Sequence, residues 1–155
     1  MPLPCILHWN KNLSVGSKIK ISYPRGRNQY NKSLKNQLFL GDETTLGLAV
    51  AFLPVLKNNE HKFIFYFELD EENKNVPKLL GLKNYIVFPK NKTFKKLELI
   101  KRIPNLITED FKNTSFILAG NVKSIQNFRQ ILKINNISGK NIKAQGYWMD
   151  GKSGL

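Results

Sequence analysis

The stretch LFLGDETTLGLAVAF, residues 38–52, decides the fold of this chain. Its first residues are typical of a buried strand, a Gly-Asp-Glu-Thr turn follows, and an apolar segment long enough for a helix comes next. That segment, residues 44–57, is apolar nearly all round, so we expect its helix to be buried on more than one side. Pro54 should bend or loosen the helix near its end. A strand followed by a tight turn and a helix predicts an α/β fold.

The same alternation continues along the chain. Four further apolar segments read as strands, and their sequences are KFIFYFEL, NYIVFP, SFILAG and NIKAQGYW. The segments between them predict helices: a short one closed by Gly81, one over residues 92–103, and one that begins after Asn121. Five strands joined by helical crossovers predict a Rossmann-like, doubly wound parallel sheet, which binds ligands beyond the carboxyl ends of its strands.

The first residues follow another pattern. Residues 18–23 alternate between polar and apolar side chains, as in a strand with one face in water. A lone strand cannot bury its apolar side chains Ile19, Ile21 and Tyr23, so it is expected to be the last strand of another unit. The polar run RNQYNKSLKN then reads as a linker. We therefore divide the chain into residues 1–34 and a Rossmann-like domain over residues 35–155.

Composition excludes several classes of protein. The chain of 155 residues has one cysteine, so no intrachain disulfide is expected, and its two histidines have no metal-ligand spacing. We predict no metal site. The first residues lack the pattern of a signal peptide and no apolar run spans a bilayer, which predicts a cytoplasmic protein with no membrane partner.

The formal net charge of +14 raises the alternative of a nucleic-acid-binding domain. Residues 1–38 carry seven basic side chains and no acidic one, whereas both signs occur from Asp42 onward. The chain is also rich in Asn and Ile, a usage that an AT-rich genome produces without selection for a ligand. We therefore predict no nucleic-acid partner.

One phosphate-binding motif matches in sequence but lacks the helix that it needs. Gly146, Gly151, Lys152 and Ser153 satisfy the Walker A pattern, but no helix can follow them in the two residues left. ATP is not expected to bind there. The G-x-G-x-x-G dinucleotide fingerprint is missing after the first strand, where GDETT stands instead. In that turn Asp42 or Thr44 is expected to cap the helix. Glu68, at the end of the second strand, could accept hydrogen bonds from a ribose or simply belong to an acidic loop.

Three short segments together resemble one family. GDETT after the first strand, AGN after the fourth and GYWMDGKSG at the end occur in the order seen in siderophore-interacting proteins, a branch of the ferredoxin reductase superfamily. The segment HWNKNLSVGSKIKISYPRG is similar to the end of the flavin-binding barrel of that family. The resemblance covers the chain from His8 onward. It implies an NAD(P)H-binding domain of the ferredoxin reductase C-terminal type, preceded by a remnant strand of the flavin barrel.

The resemblance also implies a function. In the family, NAD(P)H passes hydride to FAD, which reduces a ferric siderophore, and no side chain need act as a catalytic acid or base. The residues implied to bind cofactor are Gly41, Asp42, Glu43, Thr44, Glu68, Gly120, Asn121, Tyr147 and Trp148. Asn121 stands where the family has Glu, and Met149 where it often has Arg. NADH and NADPH both remain open, because acids follow the second strand while Lys74, Lys90 and Lys92 could bind a 2′-phosphate.

The family's Arg-x-Tyr-Thr flavin segment has no counterpart in this sequence. We therefore expect the chain alone to hold FAD poorly and to have little reductase activity. A non-catalytic nucleotide-binding or partner-binding remnant is the alternative. The apolar face of the N-terminal strand predicts a possible homodimer, because an open strand edge recruits partners.

Overall fold

The computed structural model describes residues 14–18 and 30–152. Most of the expected barrel strand, the dimer contact assigned to it and Ser153 of the Walker-type pattern lie outside the described residues. The described strands are β1 (Asn36–Asp42), β2 (Lys62–Leu69), β3 (Tyr85–Pro89), β4 (Thr114–Asn121) and β5 (Ile142–Trp148). The α-helices are α1 (Leu46–Asn58), α2 (Val76–Leu79), α3 (Leu97–Ile100) and α4 (Val122–Ile134).

The five strands form one sheet in the order β3-β2-β1-β4-β5, and every neighbouring pair is parallel. This is the doubly wound Rossmann-like sheet that the sequence predicts. The chain moves outward from β1 in one direction to reach β3, and then crosses to the other side for β4 and β5. The order therefore reverses between β1 and β4, and the ends of those two strands form the crevice in which such sheets bind ligands.

Both faces of the sheet are covered, as continuous apolar strands predict. Alternate residues of β1 enter two separate cores, with Leu38 and Leu40 in one and Phe39 in the other. The first core is completed by α4 and by the segment before β4. The second is completed by α1 and α2. The carboxyl ends of the strands are thus fixed by packing from both sides, which positions the polar residues that follow them.

Helix α1 differs from the prediction. Its buried residues form one stripe, Leu46, Ala49, Leu53 and Leu56, whereas Val50 and Val55 are exposed. The expectation that it is buried on more than one side is therefore wrong, because the layer outside the sheet on this face is one helix deep. The helix continues through Pro54 to Asn58.

The segment over residues 92–103 also differs. Only the single turn of α3 is helical, although Phe94, Ile100 and Ile103 are all buried as the spacing suggests. Successive turns, and not one long helix, bring these side chains onto the sheet. The spacing therefore predicted their burial correctly but the long helix wrongly. Gly81 ends α2 with a φ of 71°, as expected of a glycine at that position. Among the described residues, no helix has the length and apolarity that crossing a bilayer would require.

Candidate functional site

The crevice between β1 and β4 is lined by residues from six parts of the fold. They come from the ends of β1, β2 and β4, the loop after β3, the start of α4, and Trp148. The free volume inside is about 20 Å³, which accommodates about one water molecule. A nucleotide ring would therefore have to lie across the mouth of the crevice.

Asp42 is the hydrogen-bonding centre of this crevice. It is 6% exposed, and its Oδ1 accepts from the backbone N–H of Thr44 at 2.9 Å. Its Oδ2 accepts from the backbone N–H of Asn121 at 2.9 Å and from Nε1 of Trp148 at 2.8 Å. A buried carboxylate is stable only when such donors surround it. Asp42 thus joins the ends of β1, β4 and β5, and its oxygens are already engaged within the protein.

Asp42 also begins the turn that the sequence singled out. As expected, it caps the first turn after β1, over Glu43–Thr45. The hydroxyl of Thr45 completes a reciprocal pair: it donates to the backbone carbonyl of Asp42 at 2.7 Å and accepts from the Asp42 N–H at 3.0 Å. The Gly-Asp-Glu-Thr turn is therefore held rigidly by its own side chains.

The two glycines at this edge are required by protein contacts. A Cβ on Gly41 would lie 2.0 Å from Oγ1 of Thr45. A Cβ on Gly120 would lie 2.3 Å from Oδ2 of Asp42, and the φ of Gly120 is 106°, a conformation that L side chains rarely adopt. Each glycine therefore makes room for a side chain of the turn, which brings β1 and β4 close together.

Glu43 faces the opposite direction, toward β2 and β3. Its Oε1 accepts from the backbone N–H of Asp70 at 2.7 Å, and its Oε2 lies 3.3 Å from Nζ of Lys90. Lys90 also donates to Oδ2 of Asp70 at 2.6 Å. The hydrogen bond to Asp70 raises the pKa of Lys90, with a further contribution from Glu43 and an opposing one from burial. This network of Glu43, Asp70 and Lys90 fastens three strand ends together.

Glu68 is 5% exposed, and it organises the loop after β3. Its Oε1 accepts from the backbone N–H groups of Lys92 at 3.1 Å and Phe94 at 2.8 Å. Burial raises the pKa of the Glu68 carboxyl, while hydrogen bonds from the backbone of residues 91–94 lower it. The carboxylate therefore occupies a ring of donors that could otherwise hold an anion.

Asn121 has one hydrogen-bonding group without a partner. Its Oδ1 caps α4, as expected, by accepting from the N–H groups of Lys123 and Ser124. Because two N–H donors fix the position of the oxygen, the amide nitrogen must be on the other side. That Nδ2 is buried and, among the described residues, has no hydrogen-bond partner. Asn121 lines the crevice, so Nδ2 is a buried donor beside the candidate site.

The two terminal aromatics have different surroundings. Trp148 lies beside Asn121 across the β4–β5 pairing, lines the crevice and is held by Asp42. Tyr147 is 43% exposed and is not among the residues of the crevice. Of the nine predicted cofactor-binding residues, the crevice lining includes Gly41, Asp42, Glu68, Asn121 and Trp148. Glu43, Thr44 and Gly120 flank it.

Several residues of the site were not foreseen. Phe94 forms part of its wall, and its carbonyl accepts from Nδ2 of Asn127 at 3.1 Å. Lys95 lies at the crevice and pairs with Asp150 at 2.7 Å. Their partners are 33 and 55 residues away, so no local spacing could reveal them. Within residues 14–18 and 30–152 no cluster of side chains has the composition of a metal site.

No protein-family model and no curated protein matches this chain. Among solved structures, the Siderophore Interacting Protein from A. baumannii resembles it and superposes with a TM-score of 0.68. The match covers 96% of this chain, at 23% sequence identity.

This chain spans 60% of the length of that protein. At this level of identity the likeness concerns the fold. It agrees with the five-stranded parallel sheet and with the family that the GDETT, AGN and GYW segments indicate. Over its described residues, the chain therefore has the fold of the matching part of a siderophore-interacting protein.

Proposed function

We propose that this chain is the pyridine-nucleotide-binding part of a siderophore-interacting flavin oxidoreductase. In this proposal NAD(P)H, when bound, supplies a hydride for FAD, and reduced flavin serves to reduce a ferric siderophore. The observation that carries the proposal is the position of the GDETT turn and Asn121, which meet at the strand-order reversal between β1 and β4. Sheets of this type bind nucleotides at that point.

Two features at the crevice suit a nucleotide: a buried hydrogen-bond donor and the N-terminus of a helix. Both carboxylate oxygens of Asp42, and Oε1 of Glu68, accept hydrogen bonds from the protein, so we expect these two residues to shape the crevice and not to contact the ligand. Asn121 offers the buried donor Nδ2, which suits a carbonyl oxygen such as that of a carboxamide. The N-terminus of α4, a helix of 13 residues, adds a positive partial charge beside it.

Access to Nδ2 requires movement, because the crevice has little free volume. Trp148 is the side chain we expect to move, since it lies on the edge strand β5 and is partly exposed. In its resting position the indole excludes water from Asp42. These residues are proposed to bind and orient the nucleotide and to exclude water from the crevice. None of them is required to transfer a proton.

The pairing of the nearby lysines favours NADH over NADPH. Lys90 is bound to Asp70 and Glu43, and Lys74 is bound to Glu71. Of the three lysines that could meet a 2′-phosphate, two are therefore committed to carboxylates. A ribose with a free 2′-hydroxyl, unlike a 2′-phosphate, needs no cation beside it. We expect the lower dissociation constant for NADH.

Titration calorimetry with NADH and NADPH tests the proposal. Asn121→Asp keeps an oxygen for the helix cap and removes the Nδ2 donor, so we expect it to weaken NADH binding by about tenfold. Asn136→Asp introduces the same charge at an exposed position in the turn before β5, at the opposite edge of the sheet, and should leave binding unchanged. If neither NADH nor NADPH bound, the proposal would be contradicted.

Turnover separates the enzyme from its alternative. NADH oxidation is measured with added FAD and a ferric chelate. We expect slow, FAD-dependent oxidation of NADH. Near the site, the described residues offer a flavin one well-exposed aromatic ring, Tyr147, to stack on, so the chain should hold FAD weakly. Nucleotide binding without any oxidation would instead support a non-catalytic nucleotide-binding protein. A stoichiometric yellow complex that survives removal of excess FAD would show that the chain holds flavin by itself.

A further inference from the structure

The second half of the domain contains a long stretch without acidic residues. Between Asp110 and Asp150 there is no Asp or Glu, and the basic residues are Lys112, Lys123, Arg129, Lys133, Lys140 and Lys143. All are exposed except the half-buried Lys143. The four salt-bridged lysines of the described chain lie elsewhere, at positions 74, 90, 95 and 101. The positive charge of this region is therefore not compensated by its own acids.

A groove runs through this basic region. It has a volume of about 620 Å³ and lies between α4 and the turn that leads into β5. Its α4 wall carries Gln126, Arg129, Gln130 and Lys133, which are all exposed. The other side is formed by Ile137, Gly139 and Ile142. Because Ile142 begins β5, the groove is at the opposite end of the sheet from the nucleotide crevice.

The chemistry of the groove has two parts. Ile137 is 7% exposed and belongs to the core, and Ile142 packs against that core, so they provide an apolar floor. Arg129 and Lys133 are four residues apart on one face of α4 and provide a positive rim. We propose that this groove docks an acidic, amphipathic segment of a partner protein, with apolar side chains on the isoleucines and carboxylates on Arg129 and Lys133.

Charge decides between the possible occupants. The N-terminal residues of the chain itself carry seven basic side chains and no acid before residue 39, so they would be repelled. A second copy that paired the same groove with itself would oppose positive charges. Nucleic acid suits the charge but not the floor, because the groove lining contains no aromatic ring on which a base could stack. An acidic protein segment satisfies both the floor and the rim.

The test uses a fluorescently labelled peptide of about 20 residues, built from Glu and Leu at helical spacing. Its binding to the full chain is measured by anisotropy at several salt concentrations. We expect the affinity to fall as salt rises, and to fall by roughly tenfold in Arg129→Gln/Lys133→Gln, where two ion pairs are lost. Gln has nearly the helix propensity of the replaced residues, so the fold should be kept, and thermal unfolding followed by circular dichroism verifies this.

The matched control is Lys57→Gln/Lys78→Gln, which removes two exposed charges on α1 and α2. It should leave peptide affinity nearly unchanged. Equal weakening by both double variants would mean that only net charge matters and would overturn the proposal. Failure of the peptide to bind would overturn it too, as would tighter binding of duplex DNA of similar length. None of these residues lines the nucleotide crevice, so the result is independent of the proposed function.

Discussion

The indole nitrogen of Trp148 donates a 2.8 Å hydrogen bond to Oδ2 of Asp42, which lies 106 residues earlier in the chain. This bond ties the edge strand β5 to the central strand β1, with the end of β4 between them. Trp148 therefore contributes to the carboxylate's set of donors as well as to the wall of the crevice.

Trp148→Phe removes that donor and replaces the indole by a smaller aromatic ring. We expect the free energy of unfolding to fall by about 2 kcal/mol, because the buried carboxylate loses a charge-assisted hydrogen bond. Urea denaturation measures the change. Tyr147→Phe, at the exposed neighbouring position, should change stability by less than about 0.5 kcal/mol. Equal effects of the two variants would show that the bond to Asp42 contributes little.

Gly120→Ala should destabilise the domain far more than Gly81→Ala. Both glycines have positive φ, but an alanine Cβ at position 120 would lie 2.3 Å from Oδ2 of Asp42, whereas position 81 is open. We expect a loss above about 3 kcal/mol at Gly120 and about 1 kcal/mol at Gly81. Thermal and urea unfolding of the two variants provide the comparison. Similar losses would mean that backbone conformation alone limits both sites.

The stability contribution of Glu68 should depend on pH. Burial raises its pKa in the folded protein, so the folded state holds the proton more tightly than the unfolded chain does. The resulting stabilisation is full below the unfolded pKa of about 4.5 and is lost as pH rises through the folded pKa. Wild type should therefore gain stability relative to Glu68→Gln as pH falls from neutral. Urea titrations at successive pH values test the sign, and a constant difference would refute it.

Lys90→Met should weaken the junction of β1, β2 and β3. The pKa of Lys90 is raised above 10.5 by Asp70 and Glu43, so its contribution is full at neutral pH and disappears as pH rises through the folded value. We expect a loss of about 1 kcal/mol at neutral pH, since the pair is partly exposed, and a smaller loss at about pH 11. Lys74→Met, which breaks an exposed pair with Glu71, is the control and should have little effect at either pH. A loss at Lys90 that does not decline with pH would contradict the assignment.

Much of the architecture follows from the sequence. The apolar segments ending at Asp42, Leu69, Pro89 and Asn121 are strands because a parallel sheet buried on both faces needs continuous apolar runs. The caps by Asp42 and Asn121 are also predictable, since short polar side chains at such junctions satisfy the free N–H groups of a helix start. The one-sided burial of α1 was not predictable, because periodicity cannot show how many layers cover a helix.

The sequence predicted which residues lie together at the crevice, and their role in binding a cofactor stays a prediction. Family resemblance brought Gly41, Asp42 and Asn121 to one place, and the structure agrees. The sequence could not show that the carboxylates of Asp42 and Glu68 accept hydrogen bonds from within the protein, because their donors come from distant segments. Nor could it show that Nδ2 of Asn121 has no hydrogen-bond partner in the part of the chain that the structure describes. Such a property depends on the whole hydrogen-bond network around an atom.

The placement of β1 in the middle of the sheet has a consequence for folding kinetics. Strands β1 to β3 can pair early, since they are close in sequence, yet Asp42 then has no donors from β4 or β5. Its contact with Asn121 spans 79 residues, and that with Trp148 spans 106. Closing such long loops is slow, and until they close the carboxylate of Asp42 resists burial. We therefore expect the joining of β4 and β5 to limit the folding rate, and the open β1 edge to be the point at which an incompletely folded chain associates with another.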